Sequence, residues 1–147
     1  MLELFGFGSH LMIDGHHAEK SKLEDMDFIR GLLERLPIEM DMHKVMPVHV
    51  MDVSGTYPED AGITGVVIVA ESHIAIHTFP EKRFVSLDVF SCKDFDTQKA
   101  VSSLVEAFQI GRFETHLINR GKEFPHDLAS IERILAGDRS YLEARIS

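Results

Sequence analysis

The sequence has a single cysteine, Cys92, among 147 residues, so no intrachain disulfide can form and a lone thiol is ordinarily a small buried hydrophobe. Basic residues are scarce. Lys and Arg number 15 against 24 Asp and Glu, for a formal net charge of −9, and no basic patch stands out. A general nucleic-acid surface needs such a patch, so a nucleic-acid partner is not expected. No apolar run approaches the ~18 residues that would span a bilayer, and no membrane partner is expected. The start, MLELFGFGSH, lacks the basic opening and long apolar core of a secretory signal, so the expected compartment is the cytoplasm. Repeats and low-complexity tracts are absent. The turn-rich stretch SGTYPEDAG (54–62) has too few glycines, in the wrong order, to cradle a phosphate.

What is present is enough for one compact domain over 1–147, with 44% hydrophobic and 27% charged residues. Residues 8–15 read as a strand and HHAEKS as a loop. Ser21 and Glu24 have capping-box spacing, ahead of Phe28, Ile29, Leu32, Leu33 and Leu36 at helical spacing. Pro37 is expected to close that helix near residue 36. Further strands are expected over 44–53, 63–70, 73–79, 83–90 and 112–118. Asp94 or Asp96 can cap a helix carrying Ala100, Val101, Leu104, Val105 and Phe108. A last short helix runs from Leu128 to Leu135, with Gly137 as its stop. The order predicts an α+β fold, a two-layer sandwich with a mainly antiparallel sheet packed against helices.

The stretch VVIVAESHIAIHTFPE (66–81) interrupts strand-forming residues with Glu71, Ser72 and His73. His73 and His77 share a face at their spacing, but a metal would need a third ligand. Glu81 continues the interval across Pro80, which breaks the register. His10, His16 and His17 match no recognised ligand set, so no metal is expected. Ser72 is not in a G-x-S-x-G elbow, although Asp88 could orient a histidine. Ser72, His77 and Cys92 offer a hydroxyl, an imidazole and a thiol, a set suited to nucleophilic or proton-transfer chemistry. Periodicity does not say which reaction.

The segment GITGVVIVAESHIAIHTFPEKRFVSLDVFSC (62–92), with FGSHLMIDG near the start and FETHLINRGKEFP later, resembles the prokaryotic S-adenosylmethionine decarboxylase family. The core ESHIAIHTFPE followed by DVFSC is a specific signal. The resemblance implies self-cleavage between Glu71 and Ser72. The Ser72 hydroxyl attacks the Glu71 carbonyl, and elimination and hydrolysis leave a pyruvoyl group at position 72. That group is the implied cofactor, and it forms an imine with the substrate amine and accepts electrons as carbon dioxide leaves. In the same resemblance His77 removes the α-proton during processing, Thr64 stands where an assisting Ser is usual, and Cys92 returns a proton after decarboxylation.

The implied function is adenosylmethionine decarboxylation, supplying the aminopropyl donor for spermidine synthesis. A small cationic substrate suits the acidic balance, with Glu3, Asp14, Glu59 and Asp60 as possible contributors. A homodimer of processed chain pairs is also implied. Phe79 stands where Trp is common, and no phenylalanine before GITG matches the family's adenine-stacking position. Phe5 or Tyr57, with Glu71, remain candidates for substrate binding. A related ornithine or arginine decarboxylase, or an unprocessed regulatory homologue, stays open at this point.

Overall fold

The computed structural model describes residues 7–122, 124 and 127–146. Strand β1 (Gly8–His16) is followed by a short helix α1 (Lys20–Leu23), helix α2 (Met26–Glu39) and strand β2 (His49–Val53). Strands β3 (Gly62–Val69), β4 (Ser72–Phe79) and β5 (Phe84–Ser91) come next, then helix α3 (Thr97–Phe108), strand β6 (Arg112–Arg120) and helix α4 (Leu128–Ile146). The strands form one sheet in the order β2-β3-β4-β5-β1-β6, and every neighbouring pair is antiparallel. The fold is α+β, as the pattern of the sequence requires. None of the described helices is long and apolar enough to cross a membrane.

Strict alternation gives the sheet two unlike faces. Leu11, Val89, Ile74 and Val67 lie side by side across β1, β5, β4 and β3, and Ile13, Leu87, Ile76 and Gly65 form the next row. These rows share one core with Ile29, Leu32, Leu33 and Leu36 of α2 and with Ala100, Leu104 and Phe108 of α3. Each such Leu or Ile contributes roughly 1.5–3 kcal/mol by leaving water. Gly65 is where α2 seats on the sheet: an added Cβ would stand 2.7 Å from Leu33 Cδ1. Phe28 of α2 meets Phe108 of α3 edge to face at 5.5 Å, which closes the helical layer.

The opposite face carries the other parity: His10, Met12, Asp14 and His16 of β1, His73 and His77 of β4, Asp88 and Phe90 of β5. All are only partly covered. Ile68 and Met51 on this face are 40% and 52% exposed.

Several local expectations are corrected. The N-cap of α2 is Asp25, whose carboxylate accepts from the Phe28 N–H at 3.0 Å, whereas Ser21 lies in α1 and donates to Glu19. Pro37 does not close α2 at 36. Its missing N–H falls in the last turn, and the helix ends with the Met40 N–H on the Leu36 carbonyl at 3.0 Å. The strand expected over 44–53 is regular only from His49. Lys44 makes one isolated bridge to Val69, and Pro47, which has no N–H to give a ladder, lies between. Gly137 does not stop α4, which runs through it to Ile146. A helical Gly costs only about 1 kcal/mol against Ala, and nothing lies within 4 Å of its missing Cβ.

Thr78 is the one polar member of the inward rows on β4 besides Ser72. It is buried, donates to the Leu23 carbonyl at 2.8 Å and accepts from the Ile63 N–H at 2.9 Å. Thr78→Val keeps the shape and strands both groups. Urea denaturation is expected to show a loss of about 2–4 kcal/mol; a loss below about 0.5 kcal/mol would mean that the hydroxyl is not needed to join α1 to β3 and β4.

Candidate active site

Val69 pairs directly with Ser72, so β3 and β4 are joined by a two-residue turn, Ala70–Glu71. Glu71 has φ +61° while Ala70 stays at negative φ. That is the pattern of a type II turn, whose second central position favours Gly or Asn. A glutamate held there stores roughly 1–3 kcal/mol of backbone strain. The turn is anchored by the Ala70 N–H on the His43 carbonyl at 2.7 Å. The strain falls on the residue that precedes the candidate scissile bond.

Ser72 opens β4 and is 7% exposed. Its hydroxyl accepts from the Cys92 N–H at 2.8 Å, and the Cys92 thiol points to the Ala70 carbonyl at 3.7 Å. Both contacts follow from register: His73 pairs with Phe90, which sets Cys92, just past the end of β5, beside the turn. Glu71, Ser72 and Cys92 are therefore one cluster. Gly8 presses against it, since a Cβ there would meet the Ser91 carbonyl oxygen at 1.8 Å and Cys92 Cα at 2.8 Å.

His77 and Thr64 are elsewhere. They are direct partners across β3 and β4, and Thr64 Oγ1 lies 3.1 Å from His77 Nδ1. Five residues of strand separate His77 from Ser72, about 16 Å at the usual rise, and the odd interval puts them on opposite faces of the sheet. No Ser72–His77–Asp88 triad is assembled, because Asp88 pairs with His10 and His73 instead.

The substrate-binding candidates divide as well. Tyr57 is 60% exposed in the connection before β3, at the far end of that strand from the Ala70–Glu71 turn. Phe5 and Glu3 lie outside the described residues. Asp60 is bonded to Lys82, and that hydrogen bond raises the Lys82 ammonium above its ordinary value. An aromatic group that sequence reasoning did not single out lies on the open sheet face. Phe7, next to Gly8, stacks on Phe90 at 5.4 Å, and the Arg120 guanidinium lies 4.2 Å from the Phe90 ring centre.

The family model described as S-adenosylmethionine decarboxylase matches residues 9–121. An S-adenosylmethionine decarboxylase proenzyme of Acidithiobacillus ferrooxidans is 33% identical over 118 residues, covering 78% of this chain and 83% of that one. A proenzyme of the same name from Clostridium botulinum is 34% identical over 116 residues, covering 78% and 95%. The crystal structure of the adenosylmethionine decarboxylase from Aquifex aeolicus superposes with a TM-score of 0.67 at 27% identity, covering 79% of this chain and 92% of that one.

Proposed function

The chain belongs to the S-adenosylmethionine decarboxylase family and is an enzyme, and from that premise we propose that it cleaves itself at Glu71–Ser72 and then decarboxylates S-adenosylmethionine. The observation that carries this reading is the Ser72 hydroxyl, held by the Cys92 N–H next to a strained turn residue. In the first step Ser72 Oγ bonds to the Glu71 carbonyl carbon while the Glu71–Ser72 C–N bond breaks, so an amide becomes an ester and the Ser72 nitrogen takes a proton. Release of turn strain favours that exchange. Loss of the Ser72 α-proton then expels the Glu71 carboxylate, and water replaces the nitrogen as ammonia to leave a pyruvoyl group at position 72.

That group supplies an electron sink for decarboxylation. The chain's own residues do the rest. The Cys92 thiol stands beside position 72 and can return a proton to the substrate carbon that has lost its carboxylate. The relatives named S-adenosylmethionine decarboxylase proenzymes favour an adenosyl substrate over ornithine or arginine. The product would serve as an aminopropyl donor for spermidine synthesis.

His77 requires a second chain. With its Nδ1–H donating to the Thr64 hydroxyl, Nε2 is free as a base, yet Ser72 of the same chain is about 16 Å away on the other face. A two-fold dimer packed through the partly exposed sheet face would bring His77 of one copy toward Ser72 of the other and would cover Met51, Ile68 and Phe90. Co-expression of differently tagged Ser72→Ala and His77→Ala chains tests this. Each alone is expected to stay uncleaved. Together, about half of the His77→Ala chain should be cleaved, because half of its copies sit in mixed dimers, each of which holds one intact site. No cleavage in the mixture would rule out sharing between chains.

The overall reading is tested by intact mass and carbon dioxide release. Fresh protein should give fragments 1–71 and 72–147, the second lacking a free amino terminus, and should release carbon dioxide from adenosylmethionine only. Release from ornithine or arginine alone would overturn the substrate. Full-length protein after prolonged incubation would overturn the mechanism.

A further inference from the structure

The open sheet face carries a second constellation. His10 on β1 and His73 on β4 both pair with Phe90 of β5, one from each side, and Asp88 lies two residues along β5 on the same face. Both imidazoles turn toward that carboxylate. His10 Nε2 and His73 Nε2 lie 3.2 and 3.3 Å from the same oxygen, Asp88 Oδ1, and one ligand atom from each residue falls within 4.8 Å of the others. We propose that His10, His73 and Asp88 bind a divalent transition-metal ion of the zinc type.

The geometry carries this in three respects. A tetrahedral ion with bonds of about 2.0–2.1 Å sets its ligand atoms about 3.3 Å apart, and two of the three edges already have that length. Two neutral imidazoles and one carboxylate form a donor set suited to Zn, Co or Ni, and unlike the all-oxygen sets of Mg or Ca. The ligands also stand on three adjacent strands, each paired on both sides, so little ordering is needed when the ion arrives. Phe90 stands between the two histidine rings, with its centroid 5.6 Å from each. In the single chain the side chains of His10, Asp88 and His73 are 19%, 25% and 39% exposed, so an ion can enter and keep a fourth position for water before two copies pack through this face.

The site has no part in the chemistry at position 72. His73 follows Ser72 directly, but its side chain leaves the sheet on the opposite face. A bound ion would instead tie β1, β4 and β5 together and fix the second residue after the cleaved bond. The proposal does not depend on cleavage: the cut leaves His10 on fragment 1–71 and His73 and Asp88 on fragment 72–147, and β1 stays paired to β5 across the sheet.

The test uses metal-stripped full-length chain and Co2+ as a visible probe. One equivalent per chain should bind with the absorption of a four- or five-coordinate ion and no thiolate charge-transfer band, and Zn2+ should displace it. His10→Ala and the near-isosteric Asp88→Asn should each weaken binding at least about 100-fold. His116→Ala, in the neighbouring Asp14–Glu114–His116 group, should change it by no more than about twofold. X-ray absorption of the unmutated zinc form should show two imidazoles and no sulfur, a readout that does not depend on any variant folding. No saturable Co2+ binding, binding indifferent to both His10→Ala and Asp88→Asn, or a sulfur ligand would each overturn the site. Repeating the titration on uncleaved Ser72→Ala protein separates this result from the processing chemistry, since equal binding is expected there.

Discussion

The Ser72→Ala protein should emerge as one uncut chain of about 16.6 kDa with no measurable decarboxylase activity. The loss is complete because the serine is both the attacking group and the source of the catalytic group. Alanine lacks the oxygen that accepts the Glu71 acyl group, and its β-carbon bears no leaving group for the elimination. Its effect on the fold should be small. The Cys92 N–H loses a hydrogen-bond acceptor at 2.8 Å, a cost of about 1–3 kcal/mol, and the turn keeps its anchor at His43. Intact mass, circular dichroism and carbon dioxide release together check this. A folded but uncut and inactive chain is the expected result. Cleavage of the alanine variant at 71–72 would show that another nucleophile breaks the bond. Ser72→Thr is a useful companion, since it retains an oxygen at the β-carbon and should cleave slowly.

Cys92→Ala should separate self-cleavage from turnover. The Ser72 hydroxyl is held by the backbone N–H of residue 92, and alanine retains that N–H, so cleavage should proceed. Turnover should fall by roughly 10²–10⁴-fold, the usual contribution of a well-placed acid. The missing proton donor has a second consequence. A proton delivered to the carbon of position 72 instead of the substrate carbon would, after hydrolysis, leave the substrate nitrogen on position 72 and release the remainder as an aldehyde, so the variant should inactivate faster per turnover. Mass analysis of the 72–147 fragment during incubation with adenosylmethionine would show this as conversion of the blocked terminus to an amine. Unchanged turnover with no faster inactivation would remove Cys92 from the reaction. Failure to cleave would mean that the thiol, 3.7 Å from the Ala70 carbonyl, is needed to shape the turn.

The segment that carries the candidate site was legible because it is local. The two-residue turn needs only that β3 and β4 be adjacent strands, and Glu71–Ser72 then falls at its end. Alternation through β5 is equally local, and it assigns Val85, Leu87 and Val89 to one face and Ser86, Asp88 and Phe90 to the other. Element ends were less legible. Pro37 and Gly137 were given more stopping power than they have, because a final helical turn absorbs a missing N–H and a helix tolerates one glycine, whereas Pro47 interrupts the strand expected over 44–53 because it has no N–H to give a ladder.

What the sequence determined by itself was the fold class, the strand alternation and the short turn with its specific family-like surroundings. All of these depend on spacings of two to five residues along the chain. Tertiary structure alone decided which chemistry-bearing side chains meet. It joined Ser72 to Cys92 through the register of β4 against β5, and it parted Ser72 from His77 because five residues of strand end on opposite faces. It also stacked Phe7 on Phe90 on the open face and left Tyr57 exposed at the far end of β3. His10, His73 and Asp88 are as far apart as 78 residues in the chain, yet they converge on one oxygen because the order β4-β5-β1 puts three distant segments side by side. Pairing between strands is set by packing both sheet faces at once, and no local spacing encodes it.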